Sequence, residues 1–180
     1  HYDHVGGMDD VRPFCTFGDI NVYSDPVSEK SLRQSLPYCF KEHLYPGVPK
    51  ISLHTIHPHE ELQINELKIV PLRIMHDKLP ILGFKIGKLA YITDMKTIPE
   101  EELDFLQDID CLVVNALRFT NAHHSHMLID EALAFARRTS AKRVFFTHMC
   151  HDIGLHEEVN KILPAGTQLA YDGLTVEVDV

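Results

Sequence analysis

The 180-residue chain contains no run of about 18 apolar residues, so it offers no candidate transmembrane helix and no membrane partner is expected. It also lacks a Cys-x-x-Cys pair. Cys15, Cys39, Cys111 and Cys150 are scattered, which argues against a thiolate zinc site and against a small disulfide scaffold. They read as reduced, mostly buried thiols. The first residues, His1-Tyr2-Asp3-His4-Val5-Gly6-Gly7, lack the basic start and apolar centre of a signal peptide, and a cytoplasmic location is expected. Positive charge is scarce as well: 17 Lys and Arg stand against 26 Asp and Glu, a formal net charge of −9. No broad basic surface is available to hold an extended nucleic acid by counterion release. Any anionic substrate must be captured locally, for instance by bound cations that reverse the sign of one site.

With 44% hydrophobic residues the chain can bury a core, and its length suits one domain, expected to span residues 1–180. A helical start is expected at Met8-Asp9-Asp10 with Val11, Phe14 and Cys15 as an apolar stripe. A short strand follows at Ile20 to Tyr23. Ser24 or Asp25 can cap a helix that has Pro26 at its first position and is interrupted by Pro37. Residues 45–58 read as loop with one β-prone run, Ile51 to Ile56. Strands are then expected at Leu67 to Met75, Ile81 to Ile86 and Leu89 to Thr93, the last two joined by Gly87-Lys88. Helices at Pro99 to Leu106 and Met127 to Thr139 alternate with strands at Asp110 to Asn115 and Arg143 to Thr147. The end returns to β at Gln168 to Tyr171 and Leu174 to Val178. A meander followed by alternating helices and strands points to sheets with helices packed outside.

Histidine is abundant: thirteen residues, ten of them clustered as His1/His4, His54/His57/His59, His123/His124/His126 and His148/His151. Clustered imidazoles raise the case for a metal site. Ligand-type side chains also fall at segment ends: Asp3 and His4 before a helix, and His76, Asp94 and His148 each after a strand. In layered α/β architectures such ends gather at one sheet edge. A set of imidazoles and carboxylates suits zinc, manganese or iron. His54, His57, His59, His123 and His124 read instead as polar loop or exposed strand positions, Leu128, Leu133 and Phe135 as helix core, and Cys150 as structural.

His1-Tyr2-Asp3-His4 resembles the latter part of the His-x-His-x-Asp-His motif of the metallo-β-lactamase superfamily, whose first histidine would lie before residue 1. His76, Asp94 in Tyr91-Ile92-Thr93-Asp94, and His148 in Phe146-Thr147-His148 follow in the order in which that superfamily supplies its remaining ligands. The resemblance covers nearly the whole chain. It implies an α/β (α+β) fold, the αββα sandwich of that superfamily lacking its N-terminal strands. Leu82-Gly83-Phe84, His126 before a helix, and Thr147-His148-x-x-His151 are similar to the cyclic phosphodiesterases of the carbon–phosphorus lyase pathway, which act on phosphoribosyl 1,2-cyclic phosphate.

The resemblance implies two divalent metal ions, zinc or manganese or else iron. His1 and His76 would hold one ion with the upstream histidine, Asp3, His4 and His148 the other, and Asp94 would bridge them. Hydroxide generated between the ions would then attack a small phosphate ester. His126, Asp94 and Asp3 are the residues expected to carry catalysis, with His126 beside the substrate to stabilise phosphate or protonate the leaving alkoxide. His151 is a weaker substrate-binding candidate or a partner of a ligand. Because the chain begins inside the motif, strands and a ligand are expected upstream, a sheet edge and apolar face are expected to be uncovered, and the polypeptide is open to being inactive alone. Two other classes stay open: a thioester or acyl hydrolase on the same fold, and a non-catalytic metal-binding or partner-binding module. A homodimer is open too. A nuclease acting on long RNA and a β-lactam hydrolase are disfavoured.

Overall fold

The computed structural model describes residues 1–43 and 45–179, which form two compact units, His1–His57 and Pro58–Val180. The first unit opens with a short helix α1 (Tyr2–Val5) and a 3-10 segment, Met8–Phe17. The expected helix at Met8 is therefore present in tighter form. Pro13 lies inside it and cannot donate to an α-helical ladder. Its expected apolar stripe is not buried, since Phe14 is 61% exposed. Strand β1 (Ile20–Ser24) pairs in parallel with β2 (Ile51–Thr55), Ile20 opposite Ile51. Helix α2 (Pro26–Ser35) is capped by Asp25, whose Oδ1 accepts from the backbone N–H groups of Val27 at 2.7 Å and Ser28 at 3.0 Å. Pro26 takes its first position and the helix stops before Pro37, both as the sequence predicts.

The second unit is built on a seven-stranded sheet ordered β3-β4-β5-β6-β7-β8-β9. Its strands are β3 (Leu62–Ile64), β4 (Leu67–His76), β5 (Leu79–Ile86), β6 (Leu89–Ile92), β7 (Cys111–Asn115), β8 (Arg143–Thr147) and β9 (Thr167–Leu169). The first three pairings are antiparallel and the last three parallel. A 3-10 segment, Glu100–Leu106, and helices α3 (Ile129–Ala136) and α4 (His156–Ile162) provide the crossovers. The expected helix at Pro99 to Leu106 takes 3-10 form, Glu100–Leu106, and buries Glu102, Leu103 and Leu106. Leu72, Ile74, Ala90, Ile92, Leu112, Val114, Val144 and Phe146 alternate onto one sheet face and join Ala132 and Phe135 of α3 in the core.

Strand β3 and helix α4 escape a sequence reading because each is short. Helix α4 buries only Val159, too little to set up a periodic signal. The strand expected at Leu174 to Val178 does not form. Leu174, Val176 and Val178 instead line a cavity of about 270 Å³ with Tyr91, Val113 and Phe145, on the sheet face opposite α3. Their alternation reports an apolar face, not a ladder. All four cysteines are free, and burial pushes the Cys39 and Cys111 thiols above their ordinary range. Among the described residues no helix is long and apolar enough to cross a membrane.

Gly166 enters β9 at φ +81°, and a Cβ there would stand 2.6 Å from the Lys142 carbonyl oxygen. Gly166→Ala is expected to cost at least about 1–2 kcal/mol from left-handed strain alone, seen as a lowered midpoint in urea. An unchanged midpoint would show that this corner yields without cost.

Candidate metal centre

Strands β4 and β6 both run antiparallel to β5, and β6, β7 and β8 run parallel to one another. The C-terminal ends of β4, β6, β7 and β8 therefore share one sheet edge. His76 is the last residue of β4, Asp94 follows β6, Asn115 ends β7 and His148 follows β8. Four segments distant in sequence thus deliver a ligand-type or amide side chain to one place.

Asp94 is the hub. Its Oδ1 lies 3.0 Å from His126 Nε2 and 2.8 Å from His148 Nε2, and its backbone oxygen lies 2.8 Å from His76 Nδ1. His76 and Asp94 are each 9% exposed. A carbonyl only accepts, so His76 Nδ1 carries the hydrogen of this bond, which turns Nε2 to the other side of the ring. Fixing the tautomer from the far nitrogen in this way is how metal-binding imidazoles are oriented. The ring of His126 stands edge-on to His76 and tilted against His148, both at 4.8 Å between centroids.

The backbone is held in an unfavourable conformation to achieve this. Asp94 has φ +59° and His148 φ +55°, left-handed values that non-glycine residues seldom adopt. Such strain persists only where the surroundings over-determine it, and it concentrates at functional sites. Part of the surroundings is Asn115, fully buried at the end of β7. Its Oδ1 accepts from the Met95 N–H at 2.7 Å and its Nδ2 donates to the Met95 carbonyl at 2.9 Å. Beyond it the chain folds back on β4, where Lys96 N–H donates to the Met75 carbonyl at 2.8 Å and Met75 N–H to the Thr97 carbonyl at 2.9 Å. Lys96 then reaches Glu131 of α3 at 2.8 Å and the His126 carbonyl at 3.2 Å.

The structure brings His76, Asp94, His126 and His148 together at this edge. His1, Asp3 and His4 lie in the first unit, where His1 caps α1 and His4 Nε2 stands 3.5 Å from Asp3 Oδ2. His151 begins a 3-10 turn with its ring 92% exposed and 3.3 Å from Asp152. Sequence reasoning missed Asn115, Lys96, Ser125 and His123. Only for His123 did a signal exist, its spacing of three from His126, and it reads equally well as loop. His54 bonds Asn21 and stacks on Tyr23, while His59 holds the buried Glu102 and stacks on Phe105, so these two are structural.

Burial pushes the His126 imidazole below the ordinary histidine range against the pull of Asp94, with His148 and His76 adding to the decrease. Burial lowers His123 as well, reinforced by His124, Arg118 and Lys96. His76, Asp94 and His148 bring imidazole nitrogen and carboxylate oxygen without thiolate to this edge, a donor set that suits a divalent cation of the zinc, manganese or iron kind. The residues present fit such an ion.

Residues 1–149 match the β-lactamase superfamily domain. The chain is 39% identical over 179 residues to a protein of Porphyromonas gingivalis named octanoyltransferase, covering 99% of this chain but only 36% of that protein's length. Among solved structures it is similar to a diphosphatase of the PhnP family, 34% identical with a TM-score of 0.89, covering all of this chain and 69% of that one. The metallo-β-lactamase-fold protein YhfI of Bacillus subtilis shares the fold at 17% identity and a TM-score of 0.73, over 97% of this chain and 72% of that one. With a strained, histidine-flanked aspartate at the shared strand edge and a family match over residues 1–149, the chain belongs to the β-lactamase superfamily and is close to its PhnP-like members.

Proposed function

We propose that the chain is a metal-dependent phosphodiesterase acting on a small, cyclic phosphodiester. The observation that carries this reading is Asp94, one carboxylate oxygen flanked by two imidazoles while its own carbonyl fixes the tautomer of a third. Motif order assigns His1 and His76 to one cation, Asp3, His4 and His148 to the other, and Asp94 to both. When bound, two such ions supply Lewis acidity and lower the pKa of a bound water to about 7.

The chain's own residues do the rest. His126 holds its Nε2–H at the Asp94 edge, where a substrate oxygen can take it in place of the carboxylate. Lys96 donates to the His126 carbonyl at 3.2 Å and pairs with Glu131, and Arg118 pairs with Asp152, so positive charge for an anionic substrate has to come mainly from bound cations. His151, turned to solvent, suits contact with a distal substrate group. A phosphodiester is preferred because the chain is similar, at 34% identity, to a diphosphatase of the PhnP family; the imidazole hydrogen-bond donor beside the shared carboxylate suits a departing alkoxide in either reading.

Acyl-ester hydrolysis is the second reading, favoured by the name of the Porphyromonas relative. That name describes a protein of which this chain spans 36%, so it carries less weight. Side-by-side assays with bis-p-nitrophenyl phosphate and p-nitrophenyl octanoate separate the two. Phosphodiester cleavage without ester cleavage is expected, and the reverse would replace the first reading with the second. His126→Ala should keep its full metal content while turnover falls by about 10²- to 10⁴-fold, the contribution of one positioned acid. Loss of metal in that variant would make His126 a ligand instead.

A further inference from the structure

His126 has a second partner that the reading above leaves unused. His123 Nδ1 stands 3.0 Å from His126 Nδ1, with ring centroids 4.8 Å apart and planes tilted by 53°. A nitrogen–nitrogen approach this close requires one hydrogen between two lone pairs. The other side of His126 decides which ring supplies it. Its Nε2 faces Asp94 Oδ1 at 3.0 Å, and a carboxylate only accepts, so Nε2 carries a hydrogen. The neutral ring then presents a bare Nδ1, and His123 Nδ1–H donates to it.

Ser125 fills the corner between the rings. Its hydroxyl lies 3.1 Å from His126 Nδ1 and 3.2 Å from His123 Nδ1, and its backbone N–H approaches His123 Nδ1 only at 3.4 Å. That backbone contact is too long to compete with the 3.0 Å bond. The loop itself is pinned at its base, where Leu117 N–H donates to the Met127 carbonyl at 2.9 Å and Ile129 N–H to the Arg118 carbonyl at 3.0 Å. Ser125 is buried, and His124 stacks on the outer face of His123 at 4.6 Å. Two imidazoles bridged by a buried hydroxyl on a closed loop form a built unit that points at Asp94.

We propose that His123 is a positioning residue whose Nδ1–H holds the His126 ring so that Nε2–H stays aimed into the site. The inference rests on the role given to His126 above. A flipped His126 would turn a lone pair toward Asp94 or a substrate phosphate oxygen, and two lone pairs repel. Asp94 restrains the ring only while its carboxylate is available to accept. His123 acts from the opposite nitrogen and keeps the ring in place when substrate or cation occupies that carboxylate.

Two readouts test this. In the metal-free chain, nitrogen-15 NMR of the ring nitrogens should show coupling across the His123–His126 hydrogen bond, absent in His123→Ala. In the metal-loaded chain, His123→Ala should lower kcat on bis-p-nitrophenyl phosphate by roughly 10- to 100-fold, part of what a positioned proton donor contributes, with KM and metal content unchanged. His123→Asn, which places an amide donor near the Nδ1 position, should recover most of that loss. Absent coupling, or an unchanged kcat in His123→Ala, would overturn the proposal. A wild-type chain without any phosphodiesterase activity would overturn the function instead, and the NMR arm would still decide whether His123 holds His126.

Discussion

Asp94→Asn should leave the fold standing and strip the site of metal. Asparagine has the shape of aspartate and tolerates the left-handed φ of +59° there, but it carries no charge and replaces one of the two acceptor oxygens with an NH2 donor. His126 and His148 both converge on Oδ1, at 3.0 and 2.8 Å, so in the variant both rings face at best a neutral amide oxygen in place of an anion. Metal affinity should fall by more than the roughly 10- to 100-fold typical of residues that merely orient ligands, and turnover should fall with it. Asp94→Ala should lose the metal equally and also cost about 1–2 kcal/mol of stability, because alanine gains nothing from the left-handed conformation. Metal titration and urea unfolding on the same preparations separate the effects. An Asp94→Asn chain that binds metal as wild type does would remove Asp94 from the centre of the account.

Asn115 should show the second large effect although it touches no ligand atom. Both of its polar ends are spent on Met95, at 2.7 and 2.9 Å, inside a fully buried environment. Asn115→Ala leaves a buried N–H and a buried carbonyl without partners, at about 1–3 kcal/mol each. Met95 follows Asp94 directly, so releasing its peptide also frees the carbonyl that orients His76 and the side chain that faces His126 and His148. A loss of about 2–4 kcal/mol in unfolding is expected together with a roughly 10- to 100-fold weaker metal affinity. Asn115→Asp should be worse for stability, since its acid can still accept from Met95 N–H but cannot, once ionised, donate to Met95 O. Lower stability with unchanged metal affinity would mean that the clamp serves the fold alone.

How far the sequence reveals this differs between fold and site. Strands β4 to β8 are legible because each carries enough apolar or β-branched residues between clear turns, and Asp25-Pro26 marks its helix start by capping chemistry. Elements β3 and α4 are too short to leave a pattern, and 174–178 alternates without pairing. At the site, His76, Asp94 and His148 stand out because they are ligand types placed at strand ends, and the parallel order of β6, β7 and β8 turns that placement into proximity. Asn115 is invisible by the same logic. An asparagine ending a strand reads as a turn signal, and only the fold shows that its two ends meet one peptide. His123 is hidden because a histidine in a polar loop carries no sign of which neighbour it faces.

The most direct test of the central claim is metal content by elemental analysis, paired with hydrolysis of bis-p-nitrophenyl phosphate before and after chelation. Bound divalent cations are expected, with cleavage that stops when they are removed and recovers when zinc, manganese or iron is returned. A protein that takes up no metal, or that cleaves equally well without it, would show that His76, Asp94 and His148 do not form a metal centre.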